Sequence, residues 1–112
     1  MENIEMEKSK VLIIVEIIEY VPNAVVIKTI LKKTTGNVSV VSFDSGENLT
    51  EKMSAFDTFI QIIEGQAEIL INDKSHDLKT GQSVIIPANS RNTIKANERF
   101  KMISTIIKSG YE

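Results

Sequence analysis

Cysteine is absent from the chain, which removes disulfides and thiolate metal sites together. Histidine is nearly absent, with His76 alone among 112 residues. A metal centre built on a histidine pair is excluded, and a Ser-His triad would hang on one residue. An excess of one charge is missing too. The 13 Lys and Arg and 15 Asp and Glu are interspersed and leave a net charge of −2. No basic stripe or aromatic-basic cluster marks a nucleic-acid surface. Long apolar runs are also lacking. Residues 11–18 come closest, but Glu16 interrupts them, and Glu2, Glu5 and Glu7 precede them beside Lys8 and Lys10. A secretory signal needs a basic start and a longer apolar core, and a membrane helix needs about 20 apolar residues. The expectation is a cytoplasmic protein with no membrane and no nucleic acid among its partners.

What remains is ordinary for one globular domain: 42% apolar and 25% charged residues. Residues 1–10 are polar and expected to fray. Residues 11–21 are rich in β-branched side chains without a clean helical stripe. They read as a short strand and then a helical turn near residues 16–20, broken by Pro22-Asn23. From residue 24 the pattern is strand and turn. Strands are expected over 25–31, 38–43, 48–54, 56–63, 67–71, 76–78, 83–86, 92–95 and 100–107. Turns fall at Thr34-Thr35-Gly36-Asn37, Asp44-Ser45-Gly46, Glu64-Gly65-Gln66, Asn72–Ser75, Lys79-Thr80-Gly81 and Ala96–Arg99. Short strands at intervals of roughly 8–12 residues indicate an all-β sandwich or barrel. No long amphipathic helix is present to build a βαβ unit. Neither an internal repeat nor a low-complexity segment appears.

Two glycine-bounded stretches organise the rest: 46–65, GENLTEKMSAFDTFIQIIEG, and 81–87, GQSVIIP. Their spacing, with IIEGQAEILIND and LKTGQSVIIPAN as two hairpins, resembles the small single-domain cupins over residues 25–107. The resemblance implies a double-stranded β-helix, or jelly-roll, barrel. It divides the chain into an N-terminal arm (1–24), the barrel (25–108) and a C-terminal tail (109–112).

The cupin metal ligands do not carry over. In the first motif Gly46 and Gly65 match, while the two histidine positions hold Lys52 and Ser54. The glutamate position holds Thr58, or Phe59 in the longer spacing. In the second motif Gly81 and Pro87 match, while Asn89, Asn92 and Ala96 replace glycine, histidine and asparagine. Of the His-x-x-Pro-x-Asp form common in short barrels, Asp57 alone survives. An ammonium has no lone pair to offer a cation, and Ser54, Thr58 and Asn92 are weak neutral ligands. No metal, no other cofactor and no catalytic residue is expected.

The resemblance turns 52, 54, 58, 60 and 62 inward by strand parity. The expected ligand site is therefore Lys52, Ser54, Thr58, Ile60 and Ile62, with Asn92 across from them, suited to a small organic molecule. Lys52 has three readings: an anchor for a carboxylate or phosphate, a stem packed at the mouth with its ammonium in water, or a partner of Glu51 or Asp57. Glu47, Glu51 and Asp57 suggest an acid-base pair, but parity sets Glu51 off the pocket face. His76 reads as a solvent-facing strand residue, and Met53 and Met102 as core or interface filler. A strand or short helix as apolar as residues 11–18 needs cover, and the resemblance implies a homodimer with the arm at its interface. Three functions follow: a metal-free binding module for a small organic molecule, an anion being one option; a structural or regulatory homodimer with a vestigial pocket; or a metal-dependent dioxygenase or isomerase, which needs ligands this sequence lacks.

Overall fold

The computed structural model describes residues 5–51 and 53–111. Within them nine strands follow in order: β1 Val25–Lys33, β2 Gly36–Phe43, β3 Asn48–Glu51, β4 Asp57–Glu64, β5 Gln66–Ile71, β6 Lys74–Lys79, β7 Ser83–Ile86, β8 Asn92–Lys95 and β9 Phe100–Ile107. All pairings are antiparallel. They form a five-stranded sheet, β1-β2-β9-β4-β7, and a four-stranded sheet, β3-β8-β5-β6. The two sheets close over one core as a jelly-roll barrel, the fold the sequence resembles.

The core follows from the two-residue period of the strands. Along β4, Asp57 is exposed, Thr58 buried, Phe59 exposed and Ile60 buried. Every inward side chain can then be apolar while its neighbours meet water. Val41, Phe43, Ile60, Ile62, Phe100 and Met102 from the larger sheet meet Ala67, Ile69, Leu78 and Ile94 from the smaller one. The β4–β5 turn depends on glycine. Gly65 has a φ of +88°, and a Cβ there would lie 2.7 Å from the Arg99 carbonyl oxygen. The turn expected over Thr34–Asn37 is tighter than that, because Gly36 and Asn37 already belong to β2.

The arm departs from expectation. No strand forms in residues 11–21; a 3-10 turn, Ile14–Glu16, is the regular piece. The chain lies across the outer face of the larger sheet instead of extending it, so no ladder takes up its backbone. Side chains of the sheet do so. Lys101 Nζ donates to the Val15 carbonyl (2.7 Å), Lys28 Nζ to Ile17 (2.9 Å) and Ser42 Oγ to Glu19 (2.9 Å). Ile18 of the arm is itself buried. β2 is therefore buried on both faces from Ser39 to Phe43.

Residues 1–10 were expected to fray; residues 1–4 lie outside the described residues, while Glu5 and Met6 are tied to β1. The Met6 amide donates to the Ile30 carbonyl (3.0 Å), and the Glu5 carboxylate accepts from the Lys32 amide (2.7 Å). At the other terminus the Tyr111 ring meets Phe56 edge-on, with centroids 5.6 Å apart, and its hydroxyl accepts the Asp57 amide. Among the described residues no helix is long and apolar enough to cross a membrane.

Candidate functional site

At one end of the barrel the sheets enclose a cavity of about 270 Å³. Hollows of about 470 Å³ beside the arm and 550 Å³ at the β1–β2 turn are larger, but they are shallow depressions in the surface. The enclosed cavity lies where the inward faces of β2, β4 and β9 change character. Ser39 of β2 is paired with Ser104 of β9, and Ile60 of β4 follows on the far side. One row outward, Asn37, Ile106 and Thr58 stand in line. The facing wall comes from the smaller sheet. There Glu51 is paired with Asn92 and Leu49 with Ile94. All of these line the cavity, and Val41, Met102 and Ile86 complete its floor and side.

Of the site residues expected from sequence, Thr58, Ile60 and Asn92 line this cavity. Lys52 lies outside the described residues. Ile62 points inward but sits deeper, fully buried in the core, and does not reach the cavity. Ser54 is buried in a loop, where its Oγ donates to the Phe56 carbonyl (2.9 Å) and its own carbonyl accepts the Asn89 amide. It fastens the loop after β3 to the loop after β7 and forms none of the cavity wall.

Glu51 corrects the parity argument. That argument ran one strand through residues 48–54, but β3 ends at Glu51. Once the chain leaves the sheet, alternation from residues 52 and 54 cannot be extended backwards. The pairing of Glu51 with Asn92 turns it inward. The contributions of β2 and β9 went unnoticed because the resemblance spotlights only the two glycine-bounded stretches. A signal was available: Asn37, Ser39, Val41 and Phe43 share one face, and so do Phe100, Met102, Ser104 and Ile106.

The other suspected groups stand elsewhere. Asp57 caps the loop after β7, its Oδ1 accepting the Ala88 amide (2.7 Å). His76 was expected to face solvent; it is half-buried on β6, with Nδ1 3.3 Å from the Ile69 carbonyl oxygen. Met102 is core and Met53 is exposed. The groups with displaced pKa values fasten the scaffold. Burial, together with the hydrogen bond to Glu64, raises the Tyr20 hydroxyl well above its ordinary value. The Asn23 and Ser45 amides and the Arg99 guanidinium hold Asp44 below the usual carboxylate range. Glu68 is lowered by hydrogen bonds from Ser75 and Asn97.

The resemblance implies a divalent metal, and the residues present do not fit one. Among the described residues no three His, Cys, Asp or Glu gather in a way that could hold an ion. Among the described residues the cavity wall contains one carboxylate, and its other polar groups are neutral hydroxyls and amides. No fully buried side-chain nitrogen or oxygen among the described residues lacks a partner, so no orphaned polar atom awaits an ion.

No protein-family model matches the sequence, and no curated protein matches it either. Solved structures do resemble it. A conserved protein of unknown function from Streptococcus pyogenes is 25% identical, with 97% of this chain and 96% of that one covered and a TM-score of 0.87. A cupin superfamily protein from Desulfitobacterium hafniense is 24% identical, with 96% and 97% covered and a TM-score of 0.83. A cupin 2 conserved barrel domain protein from Leptotrichia buccalis is 23% identical at a TM-score of 0.89; 94% of this chain aligns with 50% of that chain. The chain thus folds as a small cupin domain.

Proposed function

We propose that the open end of the barrel binds a small organic molecule by hydrogen bonds and apolar contact, with no metal ion taking part. The observation that carries this reading is the composition of the cavity wall. Ser39, Thr58, Asn92 and Ser104 face inward among Ile60, Ile86, Ile94 and Ile106. A few convergent polar groups on apolar walls are what a small-molecule site requires. A vestigial interior would be filled by large apolar side chains, as the other end of this barrel is. The anionic ligand suggested by Lys52 finds no support from the described wall, where the charged side chain is an acid.

The test is native mass spectrometry and elemental analysis of the untagged protein. A mass excess that disappears on denaturation, without stoichiometric Fe, Zn, Ni or Mn, is the expected result. Near-stoichiometric metal would restore the metalloenzyme reading.

A second reading concerns assembly. Phe59 and Ile85 are cross-strand partners on the outer face of β4 and β7 and are both exposed, and Val11 of the arm is 97% exposed. Apolar surface of this kind favours a two-fold homodimer. Light scattering after size exclusion checks it, and a monomer at micromolar concentration would rule it out.

A further inference from the structure

We infer that the ligand of the barrel carries an ammonium or other small cationic head, held by Glu51. The inference rests on the binding reading above and specifies the class of molecule. Glu51 is the last residue of β3 and is paired with Asn92, so its carboxylate stands at the rim of the cavity and faces inward. Among the described wall residues it is the charged one; the others are hydroxyls, amides and hydrocarbon. No hydrogen bond or ion pair within the described protein occupies its carboxylate. An acid without a partner among the described residues, at the mouth of a pocket with low-dielectric walls, focuses a field that attracts cations and opposes anions.

The neighbouring chemistry fits the same head group. Asn92 offers an amide carbonyl beside Glu51, and the Ser39, Thr58 and Ser104 hydroxyls can each accept a hydrogen bond. An ammonium has three donors and no acceptor, so it can use a carboxylate, an amide oxygen and a hydroxyl together. Deeper in, Ile60, Ile94 and Met102 supply an apolar floor for the body of the molecule. A cavity of about 270 Å³ suits a compact primary amine.

Three probes of one shape separate the possibilities: hexylamine, hexanol and hexanoate, titrated against the full chain and followed by amide NMR shifts. The expected order is hexylamine first, hexanol weaker and hexanoate weakest, with shifts at Thr58, Asn92 and Ser104. Loss of the charged acceptor in Glu51→Gln should weaken hexylamine by about tenfold and leave hexanol unchanged. Added salt should weaken hexylamine alone. Glu51 is exposed, so the variant should melt with the parent protein. Equal binding of amine and alcohol, or tighter binding of hexanoate, overturns the cationic head while leaving the binding reading intact. Failure of all three probes to shift the cavity residues overturns both.

Discussion

The two ends of this barrel are made from the same strands and differ in what those strands point inward. At the closed end Phe43 and Phe100 stack with ring centroids 4.5 Å apart and 12° between their planes. Ile62, Ala67, Leu78 and Ala96 are at most 4% exposed. At the open end β2 presents Asn37 and Ser39, β4 presents Thr58, and β9 presents Ser104 and Ile106. β2 and β9 pair in unbroken register across the boundary, and β4 keeps register with β9 from Asp57 to Ile62 before slipping between Ile62 and Glu64. Along these continuous stretches side-chain volume and polarity change at a few inward positions. Large apolar side chains interdigitate and expel water. Short hydroxylated ones cannot reach across the barrel, and their polar atoms favour a site that stays open to hydrogen-bonding company. The hollow is a property of a handful of residues and not of the cupin fold as such.

Substitutions along β9 test this contrast most strongly. Phe100→Ala at the closed end should cost about 3–5 kcal/mol, read as a lower urea midpoint. Ser104→Val, two residues past Met102 on the same inward face, should change stability by less than about 1.5 kcal/mol while weakening ligand binding. Equal losses from the two variants would mean that the open end is packed in solution. A smaller loss is expected at the turn that shuts the closed end. Gly65→Ala forces a Cβ onto the Arg99 carbonyl at a φ of +88°, a strain of about 1–3 kcal/mol. It should lower the midpoint without touching binding.

The smallest effect concerns the arm, which closes the outside of the barrel rather than either end. Tyr20 donates to Glu64 (2.5 Å), and its ring lies under Arg99 and Lys101 at 4.7 and 4.9 Å. Tyr20→Phe removes one hydrogen bond, worth about 0.5–1.5 kcal/mol. The raised pKa of Tyr20 sets the sign of the pH dependence. Below its unfolded value of about 10 its contribution is complete. Above that value the unfolded chain loses the proton while the folded one keeps it, so stability falls as pH rises. Melting curves from pH 8 to 11 should show a decline that is shallower in Tyr20→Phe. Identical slopes would mean that Tyr20 does not help to hold the arm.

The strands were largely legible because each one sits in a two-residue period between turn-forming residues. β7, β8 and β9 begin and end where the pattern places them. The arm was not, because its β-branched residues 11–18 suit a strand only where a ladder is available, and here they cross a sheet face. Among the cavity-lining residues, Thr58, Ile60 and Asn92 were anticipated through the resemblance, whose motifs rest on glycine and proline spacing, and strand parity. Glu51, Ser39 and Ser104 were missed for two different reasons. Glu51 sits at a strand end, where parity stops being transferable. Ser39 and Ser104 are small polar residues whose partnership across β2 and β9 joins positions 65 residues apart, a pairing that local patterns do not encode.

The sequence by itself determined the all-β class and most of the turn positions, which are matters of local backbone preference read position by position. The barrel, and the loss of the histidine and glutamate ligands that a cupin metal would need, were implied by the resemblance to the cupin motifs. Tertiary structure alone decided which end of the barrel is hollow, that Glu51 faces the hollow, and that the arm lies over the larger sheet with its carbonyls held by Lys28, Ser42 and Lys101. Each depends on residues distant in the chain meeting in space, where pairing register and side-chain volume, summed over several strands, set the outcome.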